Sequence, residues 1–139
     1  MQLANRLKSY TQIAAQTAPP GVLILMLFDR AIRSLETALA GFEYEDPRLK
    51  NETVHNNLRH AVEIIRLLNN SLNLQEGGEL ASTLRRLYFY FEERLVKSNL
   101  KKNRDGVDEV IRHIRSLREA WAEMLNKQGQ EEEKQLEVA

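Results

Sequence analysis

The chain has 139 residues, 42% hydrophobic and 29% charged, with 20 basic against 20 acidic side chains and a formal net charge of +0. That is enough apolar material for one domain with a real core, and the balanced charge gives no field to attract nucleic acid or anionic lipid. The absence of cysteine excludes disulfide frameworks, thiolate zinc sites and cysteine nucleophiles, and it fits a reducing compartment.

In chain order, residues 2–15 place Leu3, Leu7, Tyr10 and Ala14 on one side of a modest amphipathic helix. Ala18, Pro19 and Pro20 then break the pattern, because a residue before proline is pushed out of the helical region, while Pro20 suits a first helical turn. The second helix opens on Val22, Leu23, Ile24, Leu25, Met26, Leu27 and Phe28 and is apolar on every side there. Further along, its stripe is Leu25, Phe28, Ile32, Leu35, Leu39 and Phe42, while the opposite side turns polar at Arg30, Arg33 and Thr37. One face thus serves a core, and the other needs a cover at one end. The apolar run is far shorter than the roughly 20 residues that span a bilayer, and no basic flank or signal core precedes it. A soluble, cytoplasmic protein with no membrane insertion is expected.

Asp46 and Pro47 form a second start signal, followed by Val54, Leu58, Ala61, Ile65, Leu68 and Leu72 at steps of four and three. Gly77 and Gly78 stop this third helix, and a fourth follows with the stripe Leu80, Leu84, Leu87, Phe91 and Leu95. Asp105 caps a fifth, whose stripe is Val110, Ile114, Leu117, Trp121 and Leu125. Four long stripes with short connections predict an all-α fold: an antiparallel four-helix bundle with a short N-terminal helix packed across it. Residues 1–127 form this single domain. Residues 128–139, with Glu131, Glu132, Glu133 and Glu137 and no stripe, read as a solvated, disordered acidic tail.

Chemistry-bearing residues are sparse. Glu52 and His55 have the Glu-x-x-His spacing of di-iron bundles, but the pair occurs once, and the core stripes are apolar where further ligands are required. Glu109 and His113 read as a surface helix pair. His60 lacks the small residues and nearby lysine that a phosphotransfer histidine uses, and no Gly-Lys-Ser/Thr follows Gly77 and Gly78 to make a phosphate loop. No nucleophile, base and orienter assemble, so neither an enzyme nor a metal or cofactor site is expected. What remains is apolar surface. Phe89, Val96 and Leu100 make a second stripe on the fourth helix, opposite its core stripe. It serves either a central helix touching neighbours on both sides, or a groove shared with the outer face of the second helix at Met26. In the latter reading the first helix covers the groove until a longer amphipathic ligand competes, with Tyr10 either its anchor or a permanent core contact.

These residues also carry a resemblance. Lys8, Ser9 and Tyr10, then Thr17, Ala18, Pro19 and Pro20, then Leu23, Ile24 and the run Met26, Leu27, Phe28, Asp29 resemble the opening of the FliS family of flagellin export chaperones. Ser71, Leu72 and Asn73, the block Gly77, Gly78, Glu79, Leu80, Ala81, and then Leu84, Leu87, Tyr88, Tyr90, Arg94, Leu95, Asn99 and Leu100 are similar to its central signature. Leu117, Ala120 and Trp121 stand where its last helix ends. The resemblance implies a cytoplasmic chaperone; a monomer or weak homodimer is expected. It would hold the disordered C-terminal segment of flagellin, prevent premature polymerisation and deliver the subunit to the flagellar export apparatus. Carried over by position, the implied contacts are Tyr10, Leu23, Ile24 and Leu27 near the cover and Leu84, Leu87, Tyr88 and Phe91 along the fourth helix. The apolar outer face adds Met26. Pro19 in place of a common serine, Arg30 of a glycine, Asn73 of an aspartate, Phe28 of a tyrosine and Phe89 of a polar residue are departures. Phe89 suggests a wider groove or a self-association patch.

Overall fold

The computed structural model describes residues 20–138. The expected first helix, with Leu3, Leu7 and Tyr10, lies outside the described residues. Four helices follow: α1 (Pro20–Phe42), α2 (Pro47–Asn70), α3 (Leu74–Lys101) and α4 (Asp105–Val138).

Local chemistry sets each boundary. Pro20 opens α1, where its missing N–H removes a donor that would have no partner in the first turn. Asp46 caps α2 by accepting the Arg48 N–H at 3.0 Å, with Pro47 in the first turn. Asn73 caps α3, its side chain accepting the Glu76 N–H at 3.1 Å. The double glycine does not end α2, as the sequence suggests. It lies inside α3, where Gly78 (φ 54°, ψ −131°) breaks the helix after a single turn. That backbone conformation is open to glycine and strained for any residue with a Cβ. Lys102 ends α3 in the left-handed conformation, φ 51°. Just before α4, Asn103 Oδ1 accepts the Asp105 N–H at 2.8 Å. Asp105 itself sits within the first turn, where its charge complements the helix dipole.

Connections of three or four residues force an up-and-down arrangement in which α1 packs on α2 and α4, and α3 packs on the same two. Ion pairs fix the α1–α4 register: Arg104 to Glu43 at 2.6 Å, Arg115 to Glu36 at 3.0 Å and Arg118 to Asp29 at 2.8 Å. The pairing numbers run in opposite directions, so the two helices are antiparallel. The core follows the stripes. Leu35, Val54, Leu58, Ile65, Phe91, Leu95, Val110 and Ile114 are almost wholly removed from solvent, each such side chain contributing about 1.5–3 kcal/mol relative to exposure. The acidic stretch that the sequence sets apart as a tail is continuous with α4, which runs to Val138. Every residue from 126 to 137 is exposed, so packing stops near Leu125 while the helix goes on.

Candidate functional site

The two ends of the bundle differ. Where the α1–α2 and α3–α4 connections lie, the core is sealed by Leu35, Ala38, Val54, Val107 and Val110. At the other end the same stripes open. Leu72, Leu84, Leu117 and Trp121 are partly buried, and Leu80 is 70% exposed although it continues the stripe of α3. The kink at Gly78 accounts for this, because it turns the first turn of α3 out of line with the rest, so that α3 cannot close over its neighbours there.

The result is a trough of about 430 Å³, within the range of ligand clefts. Its walls are Ile24 and Phe28 of α1, Leu80, Ala81, Leu84 and Tyr88 of α3, and Leu117, Ala120, Trp121 and Met124 of α4. Leu68 and Leu72 make the floor, and Ser71 and Asn73 are its polar side chains. Trp121 braces the end wall by donating its Nε1–H to the Gly21 carbonyl at 2.8 Å, which ties α4 to the first turn of α1. Tyr88 packs edge-on to Phe91, ring centres 6.4 Å apart. Burial pushes its phenol up to about 12, so the ring stays neutral and the wall uncharged at any physiological pH.

Of the residues named from sequence, Ile24, Leu84 and Tyr88 come together in this trough. Leu27 and Phe91 do not reach it: they are buried in the core, because α1 and α3 point those positions at the bundle axis. Leu87 packs against the same core. Leu23 and Met26 are half-buried on α1 and line no part of the trough. Tyr10 lies outside the described residues. Of the outer stripe, Val96 and Leu100 border a second depression between α2 and α3, over Leu58, Val62 and Leu95, and Met26 lines no part of it. Phe89 stands exposed with the Arg85 guanidinium 5.7 Å from its ring centre. Sequence reasoning missed Leu68, Leu72, Leu80, Trp121 and Met124 as site residues, since each continues or borders a stripe that is core elsewhere.

The polar candidates are engaged in other ways. Glu52 pairs with Arg48 at 3.3 Å, and His55 Nδ1 shares a hydrogen bond with Asn99 Nδ2 at 2.9 Å, so the Glu-x-x-His pair does not converge. Glu109 accepts from the Tyr90 hydroxyl at 2.5 Å and from Arg94 Nε at 2.8 Å, while His113 stacks on Phe91. Among the described residues no three His, Cys, Asp or Glu side chains gather as a metal site, and no helix is long and apolar enough to cross a membrane.

Fold and trough together define a helical-bundle scaffold that keeps an apolar surface open at one end. Residues 3–128 match the family described as flagellar protein FliS. The chain is 33% identical over 125 residues to the flagellar secretion chaperone FliS of Bacillus subtilis, covering 90% of each chain. It is 34% identical over 129 residues to that of Salmonella typhimurium, covering 89% of this chain and 93% of that one. With the flagellar secretion chaperone FliSB of Pseudomonas aeruginosa the figures are 30% over 125 residues, 87% and 96%. This chain belongs to the FliS family of flagellar secretion chaperones.

Proposed function

We propose that this protein is a cytoplasmic flagellar secretion chaperone that binds the C-terminal segment of flagellin in the trough between α1, α3 and α4. The open trough carries the reading: a surface of Ile24, Leu80, Leu84, Trp121 and Met124, partly or fully exposed at one end of the bundle, suits the side-chain row of an amphipathic helix. A client segment that is disordered when free folds as it docks. It gains roughly 25 cal/mol per Å² of apolar burial and gives back ordering entropy, which yields specific capture with release at the export apparatus. Holding that segment prevents premature polymerisation. The chemistry required is burial alone, with no catalysis and no cofactor.

The test mixes the purified chain with a synthetic flagellin C-terminal segment and follows far-ultraviolet circular dichroism and titration heat. The expected result is a gain in helicity beyond the sum of the parts, with a Kd well below millimolar. No gain in helicity and no binding below roughly millimolar defeats the proposal.

A further inference from the structure

On the outer side of α3, away from the trough, Phe89 is 53% exposed and Val96 43%. Ser82 stands one heptad before Phe89 and Val96 one heptad after it, so the three make a straight seam. The charges beside the seam repeat at the same interval with opposite sign. Arg85 and Glu92 lie on the side of α2, where Glu92 pairs with Arg66 at 2.5 Å. Arg86 and Glu93 lie on the side of α4, one turn either side of Tyr90, which donates to Glu109. Basic side chains thus precede Phe89 and acidic ones follow it. Of the other charges between Ser82 and Leu100, Arg94 is turned to Glu109 and Lys97 pairs with Glu93.

We propose that this face of α3 binds a second copy of the chain, the two α3 helices running antiparallel about a two-fold axis at Phe89. An isologous contact requires a self-complementary surface, and the charge order supplies one. Like flanks meet across such an axis. With Phe89 against Phe89, each Arg85 stands within one residue's rise, about 1.5 Å, of the level of Glu92 in the other copy. Each Arg86 stands equally close to Glu93, and Val96 is level with Ser82. Glu92 can accept the new partner, because Arg66 holds it through Oε1 and its Oε2 has no partner among the described residues. A parallel pairing sets Arg85 and Arg86 against themselves. An antiparallel one shifted to bring Phe89 onto Val96 crowds Glu92 and Glu93 of the two copies together at its centre. Of these arrangements the Phe89 axis alone satisfies the charges. Leu80, Leu84 and Tyr88 lie on the other side of α3, so both troughs stay open in the pair. One helix pair buries less than the roughly 1,200 Å² of stable complexes, so assembly needs high concentration.

The test is sedimentation equilibrium of the full chain at low salt, from about 10 µM to about 1 mM. The native chain should pass from monomer toward dimer over that range. Arg86→Glu and Glu93→Arg alter exposed side chains, and each sets like charges against each other in its own pair. Each alone should therefore self-associate about tenfold more weakly. Mixed one to one, they oppose unlike charges again and should return to the native strength, which also shows that both are folded. A native chain that stays monomeric throughout, as it would if the patch served a different partner, overturns the proposal. So do variants that associate as the native chain does, or a mixture no stronger than its components. Disulfide formation reads the register. The chain has no cysteine, and Ser82→Cys with Val96→Cys in one chain puts the thiols about 21 Å apart along α3, so they can join only between copies. Mild oxidation should link this double variant into dimers far faster than either single variant; equal rates refute the Phe89 axis.

Discussion

Leu80→Asp is the most direct probe of the trough. Leu80 lines it yet is 70% exposed, so the folded bundle draws little of its stability from this side chain. A helix seated in the trough buries that remaining surface. Full burial of a leucine contributes about 1.5–3 kcal/mol, so the share still to be gained is about 1–2 kcal/mol. The aspartate variant forfeits this gain and places a carboxylate under an apolar ligand, adding about 1–2 kcal/mol of desolvation after partial relaxation. The sum is about 3 kcal/mol, or about a hundredfold in Kd at 1.4 kcal/mol per tenfold. Titration calorimetry with the flagellin C-terminal segment at fixed salt measures it, with thermal melts of native and variant chains as the control. Leu80→Ala should fall between the native chain and the aspartate variant, at about fivefold. A Kd within threefold of the native chain for Leu80→Asp, with the melt unchanged, refutes the seating of the ligand in this trough.

Three further outcomes are expected. Gly78→Ala meets no steric obstacle, since nothing lies within 4 Å of the added Cβ, but it strains a backbone at φ 54° and ψ −131°; it should cost about 1–3 kcal/mol of stability, read by urea unfolding. Trp121→Phe removes the hydrogen bond to the Gly21 carbonyl and some wall volume, and should cost about 1–2 kcal/mol with a larger proportional loss in client affinity than a core substitution of equal cost. His60 is held below its ordinary value of 6.5, first by burial and then by the Arg30 charge, against an opposing pull from Glu63. The unfolded chain therefore takes up a proton on His60 before the folded one does, so the stability tied to it is complete above pH 6.5 and is lost as the pH falls through that value and toward the lower folded value. His60→Gln should flatten the fall in melting temperature between about pH 7 and 5; an identical slope in both proteins counts against the assignment.

The bundle was legible in the sequence because its evidence is periodic. Stripes such as Val54, Leu58, Ala61, Ile65 and Leu68 fix which face of each helix is inward, and short connections then leave little choice of topology. The trough was less legible for the same reason. Periodicity tells which side a residue occupies but not whether the opposite helix is still there at that height, so Leu80 and Trp121 read as core in the same way as Leu95 and Ile114. One signal was available: Gly77 and Gly78 mark a place where α3 cannot run straight, and a stripe residue just after such a break faces space its neighbours do not fill. The Phe89, Val96 and Leu100 stripe stayed open between two readings, because apolar side chains on the outside of a helix are common and need no partner; the neighbours decide, with Val96 and Leu100 bordering a depression against α2 and Phe89 exposed.

The asymmetry between the ends of the bundle separates two kinds of sequence change. Substitutions around Val54, Leu95 and Val110 bear on whether the molecule exists as a fold, while under the proposed function those around Leu80, Leu84 and Met124 bear on what it would grip. On that reading the lining residues could drift to suit a changed cargo without endangering the buried base that supports them, much as the jaws of a tool can be recut while its handle stays the same.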